Sequence, residues 1–270
     1  MWALYGLADV LYFLAYYVAR HRHAVIRQQL AKVFPGLTQA ERTVIHKRFL
    51  KNFCDVLVEL VKSLTLAPAE MIARVRIVNL HALRTHLEAG RSVMLVTSHL
   101  CNWEWLLQGV VLQIGFPVDA AYKPLHAAGF DRELRQLRCR YGAHLIAAKK
   151  LVREVVRRRG QLHAVALHAD QMPSSSGRRQ WLTFLGRETA FYPGPAEIAR
   201  LTGYAAFFVP MRRRSRGQYQ VDFVPISAAG ERLDPQVFTA RYAAMVEAMI
   251  RENPADWTWV HRRWKASAPA

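Results

Sequence analysis

The sequence predicts an α/β fold, with a mixed, largely parallel sheet flanked by helices and an N-terminal hydrophobic helix in front of it. Three observations predict this. From residue 75 onward, short β-branched runs alternate with amphipathic stretches, as is typical of parallel sheets with crossover helices. The run "SVMLVTS" (92–98) is apolar without alternation, as expected of a strand covered on both faces. Residues 2–19 are almost wholly apolar.

The individual elements follow from local signals along the chain. Thr38 and Glu41 form a capping-box pattern, which predicts a long helix over 39–64. The predicted strands after it are 75–79, 92–98, 117–122, 144–148, 161–169, 204–213 and 218–226, and the last two are expected to form an antiparallel pair. The predicted helices are 80–90, 102–115, 129–142, 149–160, 194–203 and 235–252. Residues 170–193 are predicted to be irregular.

The N-terminal segment predicts a membrane anchor over 1–22, followed by one domain over 23–270. About 18 apolar residues are near the lower limit for crossing a bilayer, and the segment is rich in tyrosine, which favours the interfacial zone. The basic run "RHRHAVIR" after it would keep the rest of the chain on the cytoplasmic side. A buried core helix is the alternative, and the one acid in the segment, Asp9, keeps that alternative open.

The positive net charge of the chain indicates which classes of partner it favours. There are 38 Lys and Arg against 20 Asp and Glu, a net charge of +18, which favours anionic membranes, acidic proteins or nucleic acid. Nucleic-acid binding is disfavoured because no helix-turn-helix, zinc, KH or RNP signature is present. The three cysteines and the scattered histidines fit no metal-ligand spacing, so no metal site is predicted.

The stretch "SHLCNWEW" (98–105) is the strongest chemical signal. His99 follows a predicted buried strand, where ligands of open α/β sheets bind, and Glu104 comes five residues later. An imidazole can take a proton from a hydroxyl while a carboxylate fixes its tautomer. Because no GxSxG nucleophile is present, the acceptor hydroxyl itself would attack. A structural histidine is the alternative, since H-x4-[DE] is short and common. The tryptophans at 103 and 105 are expected to pack or to line an acyl groove.

Five further motifs follow in a fixed order. They are "YKP" (122–124), the basic helix "RELRQLRCRYG" (132–142), "ADQ" (169–171), "FLG" (184–186) and "WTWVHRRWK" (257–265). With His99 and Glu104, this series resembles the late acyltransferases of lipid A biosynthesis, within the wider bacterial lysophospholipid-acyltransferase group, over nearly the whole chain. The sequence departs from the family at "HLCNWE", where cysteine stands in place of a common glycine, and in the loop "QMPSSSGRRQ".

The resemblance implies an activity. It implies transfer of a fatty acyl group from an acyl thioester to a hydroxyl of a lipid A precursor, with His99 as general base and Glu104 as its partner. Acyl carrier protein is the expected donor, with coenzyme A as the alternative, and no other cofactor is implied. Lysophosphatidic acid and ornithine-lipid precursors remain alternative acceptors. The expected location is the cytoplasmic face of a bacterial inner membrane, with phospholipid as a partner.

The remaining candidates are cations and loop residues, for each of which a solvated surface is the alternative. The candidates for an oxyanion or phosphate clamp are Arg138, Lys123 and Arg140. The candidates for substrate positioning are Asp170 and Gln171. The candidates for membrane or carrier contact are Arg212, Arg213 and Arg214 in "MRRRSRG" and Arg262 and Arg263 in "HRRWK".

Overall fold

Helices and strands alternate as the sequence predicts. A computed structural model describes residues 1–125, 127–173 and 177–265. The strands are β1 (Val75–Ile77), β2 (Val93–Thr97), β3 (Val118–Tyr122), β4 (Ala143–Ala147), β5 (Ala164–His168), β6 (Gln180–Phe184), β7 (Arg187–Phe191), β8 (Ala205–Phe208), β9 (Met211–Ser215), β10 (Gln218–Val221) and β11 (Val224–Ser227). The helices are α1 (Trp2–Phe13), α2 (His23–Val33), α3 (Gln39–Lys62), α4 (Pro68–Arg74), α5 (Leu80–Glu88), α6 (Trp103–Ile114), α7 (Ala128–Cys139), α8 (Leu151–Arg157), α9 (Gly194–Thr202) and α10 (Pro235–Glu252).

The central sheet has six strands in the order β11-β8-β2-β5-β3-β4. All of its neighbouring pairs are parallel except β8 and β11. Every residue of β2 is buried, and successive residues enter opposite cores: Met94 and Val96 one, Val93 and Leu95 the other. The unbroken apolar run of this strand therefore reflects cover on both faces, and the predicted mixed, largely parallel sheet is confirmed.

One prediction of local structure was incomplete and one was wrong. Segments 204–213 and 218–226 pair antiparallel as predicted, but each is split in two, so that β8 pairs with β11 in the central sheet while β9 and β10 join β1 in a smaller one. The segment predicted to be irregular contains the hairpin β6–β7. Its turn places Leu185 at φ 52° and Gly186 at φ 72°, a geometry that normally calls for Asn or Asp before Gly. The backbone N–H of Leu185 donates to Glu247 at 2.6 Å, a tertiary contact that local sequence does not reveal.

The N-terminal helix packs on α3 with one side only. Ala8 is buried against Cys54 and Val58, and the Tyr5 hydroxyl donates to Glu59 at 2.9 Å. The other side exposes large apolar residues, namely Trp2, Leu7, Val10, Phe13, Leu14, Tyr17 and Val18. Among the described helices, none alone has the length and apolarity to cross a membrane; residues Trp2–Val18 and His23–Val33 meet those criteria jointly, with an 85° bend between them.

Two histidines are packed together where α1, α2 and α3 meet. The rings of His23 and His46 lie 4.5 Å apart, and Nε2 of each is buried without a hydrogen-bond partner among the described residues. Burial, then the nearby charges of His23 and Arg27, lower the pKa of His46 to about 4. The folded state therefore keeps His46 neutral over a pH range in which the unfolded chain already binds a proton.

Stability should fall as the pH drops from 6.5 towards 4. The pKa of His46 is lower in the folded state than the value of about 6.5 in the unfolded chain. The neutral ring therefore contributes its full share to the free energy of unfolding above pH 6.5, and this share is lost as the pH falls and the unfolded chain binds a proton. The variant His46→Phe keeps the ring contact and should reduce this loss by up to about 3 kcal/mol. The free energy of unfolding, obtained from denaturant titrations at about pH 8 and about pH 4.5, would measure this loss. The variant His81→Gln, at an exposed histidine, is the control; an equal flattening in both variants would contradict the assignment.

Candidate active site

His99 lies at the carboxyl end of β2, and Asp170 lies just beyond the end of the neighbouring strand β5. The two strands pair in parallel, with Thr97 opposite His168, so both side chains emerge at one edge of the sheet. The His99 ring nitrogen Nδ1 is 2.7 Å from Asp170 Oδ1. The backbone N–H of His99 also donates to Asp170 Oδ2, at 2.9 Å. These two contacts fix both the position and the rotation of the imidazole.

Asp170 is buried and is held from a third side. The indole N–H of Trp257 donates to Asp170 Oδ2 at 2.9 Å. Burial raises the pKa of Asp170, but the charge of His99 and the hydrogen bonds from it outweigh burial and hold that pKa well below its usual range. An ionised carboxylate only accepts hydrogen bonds, so Nδ1 of His99 carries the proton. The other ring nitrogen, Nε2, is then free to accept one.

Glu104 does not make the contact with His99 that the sequence predicted. It lies in the first turn of α6 and accepts two hydrogen bonds from Arg138 of α7, at 2.8 and 2.5 Å. Burial alone would lower the pKa of Arg138, but its bonds to Glu104 outweigh burial and raise it. The predicted partner is corrected to Asp170, because the carboxylate that reaches Nδ1 comes from the adjacent strand and not from the following helix.

A cavity of about 350 Å³ opens at His99. Its polar lining residues include His99, Glu104, Lys123, Arg138, His168 and Gln171. Its apolar walls come mainly from α6 and the strands β3 and β5, with Leu95 of β2 and Leu145 of β4; the α6 residues include Leu106, Leu107 and Val110. An imidazole in the lining of an otherwise largely aliphatic cavity suits a ligand with a polar head and an apolar chain.

The other candidates at this site are divided by the structure. Arg138, Lys123 and Gln171 line the cavity. Arg140 lies outside the cavity lining, where it donates to the backbone carbonyl of Ser63 and stacks over the ring of Tyr141. Arg140 therefore does not serve as a clamp candidate, because the Ser63 carbonyl and the Tyr141 ring hold its guanidinium outside the cavity.

The two tryptophans of "SHLCNWEW", Trp103 and Trp105, occupy different environments. Trp105 is fully buried, and its indole N–H donates to Ser63 Oγ at 2.7 Å, so it anchors α6 to α3. Trp103 lines the cavity, with its ring centroid 5.3 Å from that of His99. The packing and groove-wall roles predicted for this pair agree with these positions.

Cys101 stands where the family pattern commonly has glycine, and its surroundings show how a side chain is accommodated there. Its φ is 50°, in the left-handed region that favours glycine, and it is buried. A side chain there costs about 1–2 kcal/mol of backbone strain. The thiol donates to the carbonyl of Met211 at 3.2 Å, a contact that glycine could not make and that offsets part of this cost.

Sequence reasoning missed His168, the last residue of β5. Its ring centroid is 4.4 Å from that of His99, and it lines the same cavity. Burial, and then the charge of His99, hold the pKa of His168 well below its usual value, so the ring is neutral. Its Nε2 has no hydrogen-bond partner among the described residues. The parallel register of β2 and β5 is the signal that could have found it.

The C-terminal motif holds the turn that contains His99. Leu100 pairs with Trp257, and the backbone N–H and the hydroxyl of Thr258 both donate to the carbonyl of His99, at 3.2 and 2.9 Å. Together with the Trp257–Asp170 bond, this segment holds both members of the pair. Sequence reasoning gave this motif only a surface role.

Of the five cations predicted to contact membrane or carrier, Arg263 is buried and Arg213 is mostly buried. Arg213 lies near Asp55, Glu59 and Asp256 and stacks over Tyr219. Arg263 is 1% exposed, donates to the carbonyl of Ala190 at 2.7 Å and stacks over a phenylalanine ring. Neither can reach a surface partner, so these two predictions are corrected.

The other three cations lie at the surface. Arg212 pairs with Glu252 and Asp222, and Arg214 donates to Gln220. Arg262 is exposed. A search of the described ranges for three or more His, Cys, Asp or Glu side chains placed to hold a metal finds no such group.

Comparison with known proteins points to one family. Residues 5–266 match the family model described as bacterial lipid A biosynthesis acyltransferase. The chain is 26% identical over 250 residues to the lipid A biosynthesis palmitoleoyltransferase of Escherichia coli (strain K12), covering 91% of this chain and 79% of that protein. It is 25% identical over 267 residues to the lipid A biosynthesis lauroyltransferase of the same organism, covering 97% of this chain and 85% of that protein.

Proposed function

The chain belongs to the bacterial lipid A biosynthesis acyltransferase family and is an acyltransferase, and from that premise we propose that it moves a fatty acyl group from acyl carrier protein to a hydroxyl of a lipid A precursor. One observation carries the chemistry: His99, oriented by the ionised Asp170, stands at the mouth of an apolar cavity. A base and a binding site for an aliphatic chain are what direct acyl transfer requires.

In the proposed reaction, Nε2 of His99 takes the proton of the acceptor hydroxyl as its oxygen attacks the thioester carbonyl carbon. The carbonyl oxygen gains negative charge, which Arg138 and Lys123 at the cavity can stabilise. The carbon–sulfur bond then breaks, and the leaving thiolate takes the proton back from the imidazolium. Asp170 stays ionised throughout and stabilises the imidazolium as it forms.

Glu104 acts through Arg138 in this proposal. Its two hydrogen bonds hold the guanidinium at the cavity and leave further N–H groups of Arg138 for the substrate oxygen. The acyl chain lies between Leu106, Val110 and Leu145. No cofactor other than the acyl thioester takes part.

The surface supports a place at the cytoplasmic face of a bacterial inner membrane. The apolar outer side of α1 would rest on the phospholipid, so that residues 1–22 serve as an anchor. The net charge of +18 favours an acidic donor protein over the smaller coenzyme A and also favours an anionic bilayer. Arg212, Arg214 and Arg262, which lie at the surface, are the remaining predicted contacts.

The test is acylation by the full-length protein in phospholipid vesicles. Labelled acyl carrier protein and acyl coenzyme A are offered separately, with lipid A precursor, lysophosphatidic acid or an ornithine-lipid precursor as acceptor. We expect labelled lipid A precursor, formed faster from the carrier protein. Transfer to lysophosphatidic acid or the ornithine-lipid precursor alone would replace the acceptor, and equal rates from both donors would remove the argument from charge.

A further inference from the structure

A second concave surface lies away from the His99 cavity, between α2 and the C-terminal segment. Its volume is about 640 Å³, and it is lined by Ala24, Val25, Gln28, Gln29, Lys32, Arg187, Arg262, Trp264 and Lys265. We call it the cationic groove. Four of these side chains are cations, and none is a carboxylate. Among the described residues, none of the four cations forms a salt bridge, whereas Arg74, Arg138 and Arg251 each pair with a carboxylate.

The walls of the cationic groove are fixed in place. Gln29 donates to the carbonyl of Trp259 at 2.7 Å and accepts from the backbone N–H of Arg263 at 3.0 Å, which ties α2 to the C-terminal segment. The indole N–H of Trp264 donates to Thr189 at 2.8 Å. Arg187 lies over the Trp264 ring, 4.7 Å from its centroid. One cation is therefore held before any ligand arrives, which lowers the entropy lost on binding.

Partial burial affects Arg187 in particular. Removal from water lowers its pKa, and no neighbouring carboxylate opposes this effect. A charge that is desolvated and unpaired destabilises the free protein, and an anion in the cationic groove would relieve that cost. Arginine forks and lysine ammonium groups converging from three segments are the donors that phosphate oxygens bind best.

We propose that the cationic groove binds a phosphomonoester of a lipid or sugar headgroup. A concave site with fixed walls suits a small anion that enters it better than a folded acidic protein that presents a convex face. The C-terminal segment links this surface to the reaction centre, because the ring of Trp264 is 6.1 Å from that of Trp257, whose N–H donates to Asp170. The inference rests on the proposed function, since it assigns the phosphate to the lipid acceptor whose hydroxyl meets His99.

Binding can be measured without acyl transfer. Calorimetric titration of the full-length protein with glucose 1-phosphate, inorganic phosphate and unphosphorylated glucose tests the chemistry directly. The double variant Arg262→Gln/Lys265→Gln removes two exposed cations and spares Arg187 and Trp264, which support the fold. It should weaken phosphate binding by roughly tenfold or more, because a hydrogen bond to a charged group contributes about 1.5–3 kcal/mol. The double variant Arg91→Gln/Arg232→Gln removes two exposed cations elsewhere and should change nothing.

Vesicles distinguish a lipid headgroup from free phosphate and from general charge. Phosphatidylcholine vesicles containing phosphatidic acid should bind the protein more tightly than vesicles with the same amount of phosphatidylglycerol, a phosphodiester, and the Arg262→Gln/Lys265→Gln variant should lose this preference. Binding of glucose 1-phosphate without that preference assigns the site to a free phosphorylated sugar. Equal binding of glucose 1-phosphate by this variant and the wild type would overturn the proposal. A variant that binds phosphate normally and loses only affinity for acyl carrier protein would overturn it as well.

The two proposals fail differently. If the cationic groove binds phosphate but no lipid A precursor is acylated, the phosphate site stands and the acceptor assignment falls. If the precursor is acylated and the Arg262→Gln/Lys265→Gln variant shows wild-type phosphate affinity and an unchanged KM for the acceptor, the phosphate site falls alone. A raised acceptor KM with unchanged kcat is the expected result, because the cationic groove holds the headgroup and does not touch the reacting atoms.

Discussion

Replacing His99 should lower the rate of acyl transfer by about 10²–10⁴-fold with little change in the KM for the donor. The range is that of a positioned general base, and no other described side chain at the cavity combines a free ring nitrogen with an ionised partner. His168 is the nearest imidazole, but burial and the charge of His99 hold its pKa well below the usual value, so its ring resists taking up a proton. It therefore should not substitute for His99.

The choice of variant decides what this experiment means. His99→Ala leaves the buried, ionised Asp170 without its imidazole partner, and an unpaired buried charge can unfold a protein. His99→Asn places an amide N–H near the position of Nδ1, so that Asp170 keeps a donor while the base is gone. Equal loss of activity in both variants, with the thermal midpoint of His99→Asn close to that of the wild type, assigns the loss to chemistry. Activity retained by a folded His99→Asn would exclude His99 as the base.

The sequence was sufficient for the architecture because the strands and helices that surround the site have strong local signals. The apolar run of β2, the capping box of α3 and the glycine that ends α6 each agree with the structure. The hairpin β6–β7 was not predicted, because its turn lacks a strong local signal. Leu185 occupies a turn position that its residue type disfavours, and only the bond to Glu247 in α10 makes it stable there.

The site was predicted only in part, because its key contacts join distant segments. His99 was found from one short motif, but its partner Asp170 comes 71 residues later and reaches it through the parallel pairing of β2 and β5. The nearer acid, Glu104, attracted the prediction because it shares the motif. Charge alone also misled the prediction of surface contacts. In the sequence Arg213 and Arg263 look like surface cations, but Arg213 is mostly buried near carboxylates and Arg263 is buried against a carbonyl and a ring.

The assignment of Asp170 as the positioning residue predicts a large effect from a small change. In Asp170→Asn the side chain keeps its shape and loses its charge, so it no longer favours a proton on Nδ1 of His99. The comparable change in a serine protease lowers kcat by about 10⁴-fold through the wrong tautomer. We expect a loss of about 10²–10⁴-fold in kcat, with the KM for the donor largely unchanged.

Nitrogen-15 spectra of the imidazole separate positioning from mere structure. In the wild-type protein the His99 proton should lie on Nδ1, and in Asp170→Asn it should move to Nε2 or be shared between the two nitrogens. Glu104→Gln is the matched control, since it also removes one carboxylate charge at the cavity and weakens the hold on Arg138. It should reduce activity and leave the His99 tautomer as it is, because Glu104 bonds to Arg138 and not to the imidazole. A tautomer that changes in Glu104→Gln and persists in Asp170→Asn would restore Glu104 as the partner of His99.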